Sequence, residues 1–180
     1  MLVLITGGQR SGKSRLAEKL LAEHNAVVYF ATAEYNDSDT EMSERIKKHQ
    51  SRRNPAWQTV ECYKQFYQFI EQDRSYLLDC VTNSVSRLLF DYTHDKECLH
   101  SGELEILLSQ IKKEYSLLIE TAKAKNANIY FVTNEVGSAV IPMHPISRAF
   151  VDLQGIINAF IAENCDAVYL CVSGIPIKIK

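Results

Sequence analysis

Met1-Leu2-Val3-Leu4-Ile5-Thr6 runs directly into Gly7-Gly8-Gln9-Arg10-Ser11-Gly12-Lys13-Ser14, and this junction decides the fold. The first segment is a short, almost wholly apolar run, the pattern of a strand covered on both faces. The second matches G-x-x-x-x-G-K-[ST] at every fixed position. Glycine accepts positive φ, so the backbone N–H groups of Gly7, Gly8 and Gly12 and their neighbours Gln9, Arg10 and Ser11 can crowd phosphate oxygens. Lys13 is placed to neutralise the β and γ oxygens, and the Ser14 hydroxyl to ligate Mg²⁺. A helix starting here points its positive end at the same anion. An accidental glycine turn is the competing reading; the strand before the loop and the amphipathic stretch after it argue against that. The junction therefore predicts a P-loop NTPase-type α/β fold in which the segment Gly7–Ser14 holds a triphosphate and Lys13 acts on it.

The rest of the chain agrees with an α/β reading. Short β-branched runs at Leu2–Thr6, Val27–Ala31, Tyr76–Cys80, Asn128–Thr133, Ala167–Val172 and Ile175–Ile179 read as strands. Helices are expected over Lys13–His24, Glu41–Ser51, Tyr63–Gln72, Val81–Phe90, Glu103–Lys125 and Ser147–Asn164. Leu104, Leu107, Leu108, Ile111, Tyr115 and Leu118 give the fifth of these a continuous apolar stripe. Strand–helix alternation of this kind places helices on both faces of a mostly parallel sheet, and a chain of 180 residues fits one such domain. In such a sheet the loops at the carboxyl ends of the strands build the site. Those loops here include Glu34–Thr40, Arg52–Thr59, Asp91–Gly102 and Gly137–Pro145.

Composition removes several function classes. A net charge of −2 offers no basic footprint for a nucleic-acid backbone. No apolar run approaches the ~20 residues of a membrane-spanning helix, and the apolar start reads as a buried strand rather than a signal peptide. The five cysteines, Cys62, Cys80, Cys98, Cys165 and Cys171, are odd in number and lack paired-ligand spacing. They point away from a disulfide framework or zinc site and toward a reducing, cytoplasmic setting.

Two further positions bear on chemistry. Asp79 closes the apolar run Tyr76-Leu77-Leu78-Asp79-Cys80, where a neighbouring strand of the loop would put a carboxylate for Mg²⁺. A helix N-cap for the next segment explains the same residue. His49 lies among Arg45, Lys47, Lys48, Arg52 and Arg53; on a helix, Arg45, Lys48, His49 and Arg52 adjoin. Surrounding cations disfavour imidazolium, so a neutral His49 beside phosphate-binding side chains could attack phosphorus. From composition alone, a solvated basic helix face with an incidental histidine is the better account. His24, His94, His100 and His144 show no partner pattern and are expected on the surface.

Several stretches together resemble the bifunctional adenosylcobinamide kinase/adenosylcobinamide-phosphate guanylyltransferase family of cobalamin biosynthesis. They are Ile5-Thr6-Gly7-Gly8-Gln9-Arg10-Ser11-Gly12-Lys13-Ser14-Arg15, Tyr29-Phe30-Ala31-Thr32-Ala33, Glu41-Met42 with Arg45-Ile46 leading to His49, Trp57, Glu61-Cys62 and Leu77-Leu78-Asp79-Cys80-Val81-Thr82-Asn83. Leu88-Leu89-Phe90, Val132-Thr133-Asn134-Glu135-Val136-Gly137 and Val172-Ser173-Gly174-Ile175-Pro176-Ile177-Lys178-Ile179-Lys180 continue the match to the C-terminus. The resemblance implies that His49 is the nucleophile that becomes guanylylated. It implies a guanine nucleotide contacting the loop Gly7–Ser14, then Thr32, Ala33 and Glu34, and the residues Gln50, Ser51, Arg52 and Arg53. Glu61 and Asp79 match the family's two acidic positions. GTP and ATP as substrates, Mg²⁺ with Ser14 and Asp79 as its protein ligands, adenosylcobinamide and its phosphate as acceptors, and a homotrimer follow from the same source.

The pattern also departs from the family. Val151 stands where an arginine is common, and Ala159 replaces a glutamine in the Val-Asn-Gln element, whereas Arg148, Asp152, Gly155 and Asn158 are kept. Asn134 and Glu135 follow a strand in a glycine-containing turn, for which capping is an equal explanation. Two other functions suit the same loop: a small-molecule kinase with no covalent intermediate, and a nucleotide-gated binding module.

Overall fold

A computed structural model describes residues 1–33, 54–94, 96 and 98–180. The described chain runs β1 (Leu2–Gly7), α1 (Lys13–Leu21), β2 (Val27–Ala31), β3 (Gln58–Glu61), β4 (Ser75–Asp79), α2 (Val81–Thr93), α3 (Ser101–Ala124), β5 (Asn128–Val132), α4 (Pro145–Asn164), β6 (Ala167–Val172) and β7 (Ile175–Lys178). The seven described strands form one sheet in the order β3-β2-β4-β5-β1-β6-β7. All neighbours are parallel except β6 and β7, which form an antiparallel hairpin. The P-loop NTPase-type α/β sheet expected from the sequence is present.

Burial explains why these segments are strands. Every residue of β1 and β2 is buried, as are the first four of β4 and the last four of β5. Central parallel strands bury side chains on both faces, so they read as continuous apolar runs. One face packs Leu2, Leu4, Phe30, Leu78 and Phe131 against Val85 of α2, Tyr115 of α3 and Ile157 of α4. The other packs Val3, Ile5, Tyr29, Leu77 and Tyr130 against Ala17 and Leu21 of α1. Each such fully buried large side chain contributes roughly 1.5–3 kcal/mol relative to exposure.

Four expectations need correction. Tyr63–Gln72 is not a helix; only Phe66–Phe69 makes a short 3₁₀ turn. Gln65 before it has φ 58°, in the left-handed region, and Ile70 after it is extended, so neither end can propagate. Phe66 and Ile70 are both buried, and their four-residue spacing imitates an amphipathic helix. Second, Gln58–Glu61 lies partly within a stretch read as irregular, yet it forms edge strand β3. Third, Cys80 does not end its strand; β4 stops at Asp79 and Cys80 is the N-cap position of α2. Fourth, His24 is not a bare surface residue: its Nδ1 lies 2.7 Å from Ser75 Oγ and its ring meets Tyr130 edge-on. The expected helix Glu41–Ser51 lies outside the described residues.

The register gives the sheet a ruler. Glu61, Ala31, Asp79, Val132 and Ile5 stand in one row across β3, β2, β4, β5 and β1. At about 4.8 Å per strand, Asp79 lies some 10 Å across from β1 and Glu61 some 19 Å.

Candidate active site

The loop between β1 and α1 is shaped by contacts that require glycine at two of its positions, Gly7 and Gly12. Gly7 has φ 145°, and a Cβ on it would sit 2.3 Å from the Cys171 carbonyl oxygen and 2.8 Å from Ser11 Oγ. Gly12, the N-cap of α1, has φ 96° and backs onto Gly174 Cα, 3.3 Å from where its Cβ would be. Within the turn the Ser11 amide donates to the Gly8 carbonyl (3.3 Å) and the Leu16 amide to the Gly12 carbonyl (3.0 Å). The tip of the β6–β7 hairpin closes the arrangement from behind, where the Gly174 amide donates to the Ser11 carbonyl (3.0 Å).

Lys13 is buried, and its Nζ donates to the Gly8 carbonyl oxygen at 2.6 Å. Burial pushes its pKa below the ordinary lysine value, an effect partly offset by Cys80, Asp79, Cys171 and Glu135. An ammonium held in a desolvated place gains most from an arriving anion. The buried Ser11 hydroxyl has no hydrogen-bond partner among the described residues. A cavity of about 460 Å³ opens beside the loop, lined by Gly7, Gly8, Gln9, Arg10 and Ser11, by Glu135 and Ser138, and by the end of β6. Arg10 at its rim is exposed and has φ 57°. The Gly7–Ser11 backbone and the orphan hydroxyl line the cavity, and the buried Lys13 ammonium is held on the loop beside it, an arrangement suited to a phosphate.

Asp79 is not on a neighbour of β1, as the sequence reading supposed; β5 intervenes. Its Oδ2 accepts from Tyr29 Oη at 2.8 Å, and Oδ1 carries no hydrogen bond among the described residues. It does not cap α2, which has no side-chain N-cap bond. Ser14 is half-buried in the first turn of α1. One hydroxyl and one carboxylate are too few to hold a metal alone, and no group of three or more His, Cys, Asp or Glu side chains suited to a metal occurs among the described residues. They do suit a hard dication that takes its remaining oxygens from phosphates and water.

Thr32 is held inside the fold. Its side chain is fully buried, and its hydroxyl donates to the Cys80 carbonyl (2.9 Å) while accepting from the Cys80 amide (2.7 Å). It holds the turn beside Asp79, and Ala33 after it is half-buried. Desolvation pushes the Cys80 thiol up to about 12, which keeps it protonated at neutral pH. Glu61 is exposed at the end of β3. Glu34, His49, Gln50, Ser51, Arg52 and Arg53 lie outside the described residues.

Sequence reasoning left Glu135 undecided. Its amide donates to the Gly7 carbonyl (3.2 Å), and its Oε1 accepts from Thr6 Oγ1 and from Asn158 Nδ2 (3.4 Å). Asn158 belongs to a buried polar group with Gln154 and Thr133, spaced i, i+4 with Gln154 on the buried face of α4. That polar pair inside an apolar stripe was the available signal.

Known proteins share this arrangement. Residues 3–179 match the family model of cobinamide kinase / cobinamide phosphate guanyltransferase. The chain is 39% identical to the bifunctional adenosylcobalamin biosynthesis protein CobU of Escherichia coli (strain K12) over 184 aligned positions, covering all of both chains. It is 38% identical to the protein CobP of Pseudomonas aeruginosa, described in the same terms, over 98% of this chain and 96% of that one. Among solved structures, an ATPase from the type III secretion system of pathogenic bacteria superposes with a TM-score of 0.58 at 11% identity, over 94% of this chain and 50% of the other; that likeness is one of fold.

Proposed function

The chain belongs to the cobinamide kinase / cobinamide phosphate guanyltransferase family and is a bifunctional transferase; on that premise we propose that it phosphorylates adenosylcobinamide and then transfers GMP from GTP to the product through a guanylylated His49, giving adenosylcobinamide-GDP. The observation that carries the reading is the cradle, in which Gly7–Ser11 line one cavity and the buried Lys13 ammonium is held on the Gly8 carbonyl beside it.

In the first step the substrate hydroxyl attacks the γ-phosphorus of ATP or GTP and the nucleoside diphosphate leaves. Lys13 and the loop amides stabilise charge on the transferring group, since such reactions depend mainly on positioning and electrostatics. Mg²⁺, held by Ser14 and Asp79 with phosphate oxygens, would neutralise further charge there. In the second step His49 attacks the α-phosphorus of GTP and pyrophosphate leaves. The phosphate of the corrinoid then attacks the phosphoramidate and frees the histidine. Dividing a hard transfer between two attacks is the logic of covalent catalysis. Arg52, Arg53 and Lys48 would clamp the anions, and Glu34, Gln50 and Ser51 would contact the nucleotide. Glu61, far along the row from the cradle, fits ribose hydroxyls better than the metal.

GTP labelled at the α or the γ phosphate tests the scheme. Acid-labile, base-stable label on the protein from α alone supports guanylylation, and His49→Ala abolishes it while keeping phosphoryl transfer. Equal loss of both activities in a folded His49→Ala protein overturns this division. We also read the enzyme as a cytoplasmic homotrimer. No described helix is long and apolar enough to cross a membrane. Exposed Val140, Ile141 and Met143 offer apolar surface for a subunit contact. Sedimentation as a monomer would refute the trimer.

A further inference from the structure

The carboxylate of Glu135 is held more firmly than a turn residue requires. Capping the turn after β5 needs only its backbone, and the amide does that work by donating to the Gly7 carbonyl at 3.2 Å. The side chain caps no helix. Instead Oε1 accepts from Thr6 Oγ1, one residue before the phosphate loop, and from Asn158 Nδ2 of α4 at 3.4 Å. Oε2 carries no hydrogen bond among the described residues.

The support behind it is itself buried and polar. Asn158 Nδ2 also donates to the Asn134 carbonyl (3.0 Å), and its Oδ1 accepts from Gln154 Nε2 (2.8 Å) and Thr133 Oγ1 (2.7 Å). Gln154 and Thr133 are fully buried, and Gln154 Oε1 finds no partner among the described residues. An apolar packing of the same volume would stabilise the fold at least as well, so this group acts on position more than on stability. What it positions is one carboxylate in the wall of the cavity that Gly7–Ser11 also line. Lys13, which marks where a γ-phosphate would lie, is near enough to feel its charge.

We propose that Glu135 is a catalytic residue of the phosphoryl transfer, its free oxygen accepting the proton of the attacking hydroxyl. This rests on the kinase reading above. As the substrate oxygen bonds to the γ-phosphorus, the bond from that phosphorus to the β–γ bridging oxygen breaks. The nucleoside diphosphate leaves with the electron pair, the hydroxyl proton passes to Glu135 Oε2, and solvent then removes it. A carboxylate serves because the proton moves late in such a loose transition state. Asp79, the carboxylate of the row nearest the loop, is already bonded to Tyr29 and is left to the metal.

The test is steady-state phosphorylation of adenosylcobinamide by the full chain and its Glu135→Gln variant, across pH 5–9, beside protein labelling from α-labelled GTP. Glutamine keeps the size and an acceptor for Thr6. The expected result is a kcat about 100-fold lower, with the acid limb of the pH profile gone, nucleotide KM within about threefold and α-label on the protein retained. Glu135→Asp, which keeps a base but draws it back, should lose about tenfold while keeping the acid limb. A kcat within threefold of the parent in either variant overturns the assignment. So does equal loss of labelling and phosphorylation, which would mark a structural role. If the parent chain itself moves no γ-label to the corrinoid, the kinase reading fails instead.

Discussion

The two ends of the row Ile5–Val132–Asp79–Ala31–Glu61 are built on different principles. At the β1 end the loop is seated by main chain: Gly7 against the Cys171 carbonyl, Gly12 against Gly174, and the Gly174 amide on Ser11. At the β3 end, Glu61 stands exposed on an edge strand whose four residues are exposed or half-buried. Between them, Asp79 and Thr32 are held by side-chain hydrogen bonds. The polyphosphate is the same in every nucleotide and can be met by invariant backbone geometry. Features that vary from ligand to ligand are met by side chains, which can change without disturbing the fold.

This contrast can be broken in order of effect. Lys13→Met should lower both transfers by about 10²–10³-fold. The same change should raise the melting midpoint of the nucleotide-free protein. Burial lowers the Lys13 pKa, so its charged form costs stability at neutral pH, a cost relieved only as pH rises through the depressed value. Activity assays and a thermal melt on one sample check both halves. Gly7→Ala should destabilise by about 3 kcal/mol, from overpacking against Cys171 and a backbone conformation alanine resists. Denaturant unfolding measures that loss, and a midpoint unchanged from the parent would show that the seat is softer than described. Thr32→Val removes the bridge to both polar groups of Cys80 and should cost about 1–3 kcal/mol, with a lower kcat at an unchanged phosphate affinity. Glu61→Gln should leave stability within about 0.5 kcal/mol and shift only nucleotide KM; a large loss of stability there would erase the distinction between the two ends.

The same division explains what the sequence made legible. A cradle built from backbone needs glycine at fixed places, so Gly7–Ser14 announces itself, and the central strands around it announce themselves by continuous burial. Strand β3 does not, because an edge strand of Gln58, Thr59, Val60 and Glu61 has no apolar pattern to read. The segment Phe66–Ile70 misleads in the opposite direction, its buried Phe66 and Ile70 borrowing helical spacing. The order of strands is a long-range property, so Asp79 was assigned beside β1 when β5 separates them. Glu135 was ambiguous for a related reason. Its partners Thr6 and Asn158 lie on two other elements, and only the folded sheet brings the three together.

The hairpin tip at Gly174 reaches the loop from a segment made long after it. A ribosome makes Gly7–Lys13 early and Cys171–Gly174 late. Parallel pairing of β1 with both β5 and β6 likewise waits for residues yet to emerge. The loop therefore takes its shape only after Cys171–Gly174 have been made, and a nascent product that stops short of them carries the complete phosphate motif without the wall that shapes it.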